Sequence, residues 1–290
     1  MTLKNKILKL IQKKESELPT LPAVADKIVT AASDKKTTTE ELAEIISYDQ
    51  AITFKLIKLA NSIYYAQRTK VDTIKRSVTV IGFDEIMGIA LSMSVLKSMS
   101  GKSGFSLDMK ALWMHAIGCA TAAKELAKRT NPSIANRVFV PCLLHDLGKL
   151  LFSVYFKEEY QKVRRVAMEA KIPLYAAEMK VFEIDHAVVA ALLLKRWNFP
   201  NSIISPCRYH HKPDACPPEL KHMTLIINLA NYLTHKAGIG HSGNTVPVAA
   251  KNIINKVGTN EQVLHLTIEN LKKNEAKIKE FFQLTTETEE

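Results

Sequence analysis

The run LLHDLGKLL, residues 143–151, sets a histidine, an aspartate and a lysine into an otherwise apolar stretch. Its apolar character suits a core, and a histidine and an aspartate set into it would go with it. Polar groups taken out of water cost free energy unless other groups satisfy them, and a divalent cation satisfies several at once. Any fold for this chain must therefore bring partners to the segment from elsewhere. Candidates are present, since His115 precedes it and His186 and the pair His210-His211 follow. Five of the nine histidines fall into this one series. Lys149 stands four residues after His145 and three after Asp146, close to the same helix face.

The rest of the chain reads as helix. Ten glycines and eleven prolines in 290 residues favour long uninterrupted elements over a turn-rich sheet. Residues 3–14 carry Leu3, Ile7, Leu10 and Ile11 on one stripe, which predicts a short amphipathic helix. Pro19 and Pro22 then separate it from the next helix. Thr37-Thr38-Thr39 ahead of Glu40 and Glu41 forms an N-terminal signal for another. Helical patterns follow over 51–60 and over 74–99 (broken at Gly82). Beyond these they cover 109–129 with His115, 134–153 with both His145 and Asp146, 156–170, 174–184, and 186–197 with His186. A short helix from Pro200 leads into His210-His211, and 220–236 and 260–283 are the last two. No strand-like alternation persists. Two glycines and three serines make MSGKSGFSLD, residues 99–108, the best boundary. The expectation is an all-α chain of two packed parts, residues 1–104 and 105–284, with a polar tail at 285–290.

Several function classes fall away on composition. No apolar stretch approaches the roughly 20 residues needed to cross a bilayer. The basic, amphipathic N-terminus lacks the apolar core and cleavage site of a signal peptide. A cytoplasmic location without a membrane partner is expected. Cys119 and Cys142 lie in apolar helical patterns as ordinary buried thiols. Cys207 and Cys216 lack CxxC spacing, and a disulfide framework does not suit this compartment. The net charge of +11 suits polyanionic partners. The lysines are spread along the chain, however, without the interleaved aromatics of single-strand binders, which places nucleic acid behind other partners.

Metal chemistry remains. His115, His145, Asp146, His186, His210 and His211 offer nitrogen and oxygen donors from separate helices, as helical bundles do when they build interior metal sites. Such a set suits one or two ions of iron, manganese, zinc or nickel. A bound ion would lower the pKa of a water molecule, and Lys149 could hold a phosphoryl oxygen. Plainer roles compete for several residues. Lys149 could snorkel to the surface, and Asp185 could simply cap the helix that begins at His186. His222, His235, His241 and His265 read as surface or interface histidines, Trp113 and Trp197 as core, and Asp49, Asn61 and Ser62 as turn and capping residues.

HDLGKL in an apolar helix, preceded by LWMHAIGCA and followed by EIDHAVVAALLLKRWNFPNSIISPCRYHH, resembles the HD superfamily of metal-dependent phosphohydrolases. LPTLPAVADKIVTAAS, IISYDQAITFKLIKLANSIYY and TIKRSVTVIGFDEIMGIALSMSV resemble the HDOD family, an HD-related output domain of bacterial signalling proteins. The resemblance covers about residues 16–235. It implies a helical N-terminal subdomain packed on an HD-like helical domain, and a regulatory protein that works through contacts with signalling partners. His115, His145, Asp146, Lys149, His186, His210 and His211 also match the HD-GYP type of cyclic-dinucleotide phosphodiesterase. Two departures weaken an enzyme. The last acidic ligand of HD enzymes is replaced by an amide, Asn228 or, in the better alignment, Asn231. HHKPDACPPEL also stands where the glycine-tyrosine-proline signature would be. The resemblance thus implies a signalling protein with a metal-binding core. The alternative is a metal-dependent phosphohydrolase acting on a nucleotide or phosphodiester, with Asp146 bridging ions and Lys149 neutralising charge.

Overall fold

Side chains that satisfy the first free N–H groups of a helix mark where several of these elements begin. Thr38 and Glu41 form a reciprocal capping box, and Asp49, Thr73, Asp108, Asp185 and Asn260 each accept a bond from a backbone N–H three residues on. A computed structural model describes residues 1–13, 18, 22–34, 36–99 and 106–286. The N-terminal part holds α1 (Leu3–Gln12), α2 (Ala23–Ser33), α3 (Thr39–Ser47), α4 (Gln50–Ala60), α5 (Ile74–Ile81) and α6 (Phe83–Met99). The second part begins with α7 (Met109–Thr130), α8 (Phe139–Leu144), α9 (Leu147–Tyr155), α10 (Lys157–Glu169), α11 (Leu174–Phe182) and α12 (His186–Arg196). It ends with α13 (Asn201–Tyr209), α14 (Pro218–Ala237), α15 (Ile253–Val257), α16 (Glu261–Lys273) and α17 (Glu275–Thr286). The all-α expectation holds, with no strand among the described residues. No single helix among them is long and apolar enough to cross a membrane.

One apolar core runs from Ile7 to Phe281. The long helices α7 and α14 lie side by side at its centre, while α12 sits against α9 and α13. The N-terminal helices are tied to this centre by polar as well as apolar contacts. Glu85 on α6 is fully buried and accepts bonds from Tyr65 Oη at 2.8 Å and from Lys124 Nζ on α7. The last helix returns to the first part. Lys55 Nζ donates to the Thr285 carbonyl at 3.3 Å, and Ile63 N–H donates to Glu280 Oε2 at 3.0 Å. The Phe281 ring meets the edge of Tyr64 at 5.0 Å.

Three expectations change. The helix predicted over 134–153 is broken, since α8 stops at Leu144 and α9 starts at Leu147, leaving His145 and Asp146 at the break. The helix predicted over 260–283 divides at Asn274, whose backbone departs from helical angles. The short α15 was not foreseen. Residues 100–105 of the expected boundary and 287–290 of the expected tail lie outside the described residues, while Thr285 is buried on α17. Asp49 caps α4, and Asn61 bonds both the N–H and the carbonyl of Val71, the capping and turn roles expected of them. Trp197 is core, whereas Trp113 is only partly buried.

Gly148 is where α9 meets the start of α12. A Cβ there would stand 2.1 Å from the His186 carbonyl oxygen, a backbone atom that cannot swing aside. Gly148→Ala is expected to push α9 off α12 and cost about 2 kcal/mol or more. A lowered urea midpoint at unchanged slope would register the loss.

Candidate metal centre

The break between α8 and α9 lets His145 and Asp146 serve one centre. Adjacent residues on a continuous helix point about 100° apart. Here His145 ends α8 in helical conformation, and Asp146 turns out of it at φ −94°, ψ 8°. His145 Nδ1–H donates to the Cys142 carbonyl at 2.6 Å, satisfying one of the carbonyls left free at a helix end. His210 repeats the arrangement at the end of α13, its Nδ1–H donating to the Cys207 carbonyl at 2.8 Å. The local sequences correspond as well, PCLLH and PCRYH. With Nδ1 carrying the proton, Nε2 of each ring has a free lone pair, the form in which imidazole binds metals.

Those two Nε2 atoms and Asp146 Oδ1 are buried without a hydrogen-bond partner. His145 Nε2 lies 3.4 Å from Asp146 Oδ2, and His210 Nε2 lies 3.9 Å from Oδ1. His186 Nε2 is 3.2 Å from Oδ1 but lacks the alignment of a hydrogen bond. His211 Nε2 is 2.9 Å from His186 Nε2. On the far side, Asn231 Oδ1 is 2.9 Å from His115 Nε2, and the His115 and His145 rings are 6.1 Å apart. All six residues singled out in the sequence therefore gather in one cluster, with Asn231 beside them. Asn228 is spent elsewhere, donating to the His210 carbonyl and accepting from Ala250 N–H. Converging lone pairs without donors fit a cation better than any rearrangement of protons.

Lys149 does not snorkel. It is 2% exposed, and Nζ donates to Asp146 Oδ2 at 2.8 Å. Burial alone would raise the pKa of Asp146, but His145, Lys149 and His186 outweigh it and hold the carboxyl well below its usual range. Asp185 caps α12 through Val188 N–H, as its plainer reading has it.

Several residues of the site were not anticipated. Glu178, fully buried on α11, accepts both the backbone N–H and Nδ1–H of His186, the latter at 2.6 Å, and its other oxygen accepts from Tyr160 Oη at 3.0 Å. It sets the His186 ring with Nε2 toward Asp146, as a carboxylate behind a metal-bound histidine does. A signal existed, for Glu178 is a lone acid on an apolar helix eight residues before His186. Tyr175 stacks on His211, ring centres 4.3 Å apart. His235, expected at the surface or an interface, is half-buried with its ring 4.4 Å from that of His115. His265, by contrast, is exposed as expected.

The segment after α14 straps the cluster. His241 N–H bonds the Ala111 carbonyl at 2.9 Å, Ser242 Oγ is 3.0 Å from His235 Nε2, and Asn244 Oδ1 accepts from Leu174 N–H. Gly240 makes this possible, because its φ is +61° and a Cβ would fall 2.3 Å from His115 N. The mouth of the cluster, between Tyr175, His211, Asn231, His235 and Val248, holds about 10 Å³. An apolar cavity of about 30 Å³ borders Asp146 on another side, walled by Leu112, Trp113 and Leu147.

An all-helical core that folds a broken HD helix, four further histidines and a buried lysine around one carboxylate defines an HD-like protein. The sequence matches the HDOD domain over residues 18–213, and the chain belongs to that family. A solved HDOD domain protein of unknown function from Geobacter sulfurreducens superposes with a TM-score of 0.78 at 23% identity, covering 99% of this chain and 98% of its own. A candidate signal transduction protein from Marinobacter aquaeolei VT8 gives 0.80 at 19% identity, over 97% of this chain and 65% of its own. A candidate phosphohydrolase from Shewanella amazonensis SB2B gives 0.73 at 18%, over 97% and 98%. At these identities the likeness concerns the fold. An uncharacterised protein of Treponema pallidum (strain Nichols) is 26% identical over 216 residues, and the match spans 74% of this chain but 42% of that curated relative. Asn231, His235 and the strap lie beyond the matched HDOD region.

Without metal, the cluster should be acid-labile. Burial holds the pKa values of His145, His210 and His211 below the usual range and pushes His235 to about 2. An unfolded histidine titrates near 6.5, so below that pH the unfolded chain takes up protons the folded chain refuses. His186 acts oppositely. Burial opposes its charge, but Glu178 outweighs burial and lifts it to about 9, so its contribution is complete below pH 6.5 and fades as pH rises toward 9. Chelated protein is expected to lose stability between pH 7 and pH 5, by up to about 1.4 kcal/mol per pH unit for each depressed histidine. Urea midpoints across that range would reveal it, with a shallower fall in His235→Asn.

Proposed function

We propose that this HDOD protein is a cytoplasmic signalling regulator that acts through protein contacts, with a divalent metal tying the helices of its HD-like core together. The enclosure of the cluster carries this reading. Ligand pockets for small molecules occupy roughly 300–1,000 Å³. The 10 Å³ mouth under the strap has room for about one water, not for a nucleotide. An ion held by His115, His145, Asp146, His186, His210 and His211 would join α7, the α8–α9 break, α12 and α13. Ligation that the unfolded chain cannot match stabilises the fold outright. The neutral Asn231 in place of an acid and the absence of disulfides among four buried cysteines accord with this reading and with a reducing compartment.

One observation favours the hydrolytic alternative. Lys149 is buried against Asp146, where it could neutralise a phosphoryl oxygen once the strap had opened. A bound ion would supply an activated water in that case. Substrate would be a phosphodiester or nucleotide, and the partner under the first reading is a signalling protein.

Metal analysis of anaerobically purified protein, a melt with and without chelator, and a phosphodiester screen separate the two. The regulator is expected to carry iron, manganese, zinc or nickel. A ligand at 100 times its dissociation constant adds about 2.7 kcal/mol, so chelation should lower the Tm by several degrees. Turnover of cyclic dinucleotides or a nitrophenyl phosphodiester should not exceed that of Asp146→Asn. Turnover lost in both Asp146→Asn and Lys149→Met would replace this reading with the phosphohydrolase.

A further inference from the structure

The fully buried thiol of Cys119 lies one helical turn beyond His115, its Sγ 3.3 Å from His115 Nε2. That nitrogen also has Asn231 Oδ1 at 2.9 Å. A single imidazole nitrogen presents one proton or one lone pair, so it cannot satisfy both neighbours through hydrogen bonds. His145 Nε2, fully buried and without any hydrogen-bond partner, completes the group, for donor atoms of His115, Cys119 and His145 all lie within 4.8 Å of one another. Zinc takes nitrogen at about 2.0 Å and sulfur at about 2.3 Å, so separations of this size close around one ion with small side-chain shifts.

We propose that Cys119 is a metal ligand, forming with His115 and His145 a mixed nitrogen and sulfur site that selects zinc. The idea rests on the metal-binding reading of the core and adds to it a donor outside the nitrogen and oxygen set. On binding, the thiol gives its proton to solvent and the thiolate bonds the ion, so the site gains one negative charge. That charge stands in for the carboxylate that Asn231 does not provide. Thiolate is a soft donor and shifts the preference of this position from iron and manganese toward zinc. His186, His210 and His211, whose nitrogen donors also lie within 4.8 Å of one another, form a group without sulfur.

X-ray absorption at the zinc edge of the intact, zinc-loaded protein tests this without depending on any variant. A sulfur shell near 2.3 Å is expected. It should disappear in Cys119→Ala and persist in Cys216→Ala, with folding of each variant checked by its melt. Cobalt loading gives a second readout, a near-ultraviolet thiolate-to-cobalt charge-transfer band in the wild type that Cys119→Ala lacks. Zinc bound with nitrogen and oxygen scattering alone, or a sulfur shell that survives in Cys119→Ala, overturns the assignment of Cys119 and leaves the metal-binding core standing. Failure to bind zinc or cobalt at all overturns both.

Discussion

The carboxylate of Asp146 is 4% exposed and has His145, His186, His210 and Lys149 around it. A charge so far from water survives only where compensating groups are held in place: Lys149 comes from α9, the helix that Asp146 begins, and His186 and His210 come from α12 and the end of α13. That demand explains much of the architecture. The α8–α9 break exists where His145 and Asp146 must face one point, and Gly148 lets the following helix settle against the backbone of His186. Glu178 and Tyr160 lock His186 from behind. Removing one partner from such a set leaves the others uncompensated, which makes single substitutions there costly.

His145 and His210 show how little sequence is needed to aim a ligand. Each closes a short helix, gives Nδ1–H to the carbonyl three residues back and presents a bare Nε2. The two segments even touch, Cys207 Sγ donating to the Pro141 carbonyl at 3.3 Å. The ring direction is thus fixed by backbone geometry at a helix end rather than by packing alone. The strap from Gly238 to Asn244 then covers the cluster, its backbone bond from His241 to Ala111 on α7 made beside Gly240 at positive φ.

Helical periodicity was legible almost everywhere, because 3.6-residue patterning is a local property. The polar residues embedded in LLHDLGKLL were legible as a centre because burying them demands partners. What the sequence did not disclose follows from non-local geometry. Glu178 stands out as a lone acid on an apolar helix, but its partner His186 appears only when α12 is laid against α11. His235 lies one turn beyond Asn231, but its contact with His115 depends on α7 and α14 running side by side. The break at His145-Asp146 was hidden for a different reason, as both flanking segments are good helix and only the shared target forces them apart. The division between the two parts, placed at a glycine- and serine-rich stretch, concerns composition, and the polar ties across Glu85 could not be read from it.

The helix α17 packs on α4 and α6, and its Thr285 carbonyl takes a bond from Lys55, 230 residues earlier in the chain. On a ribosome the first helices emerge long before the piece that covers them. Their apolar faces must wait, partly assembled, until α17 has been made, since contacts of such separation form late and at a high entropic cost. Newly made N-terminal segments therefore pass through a period of exposed hydrophobic surface, and excising them would make that condition permanent.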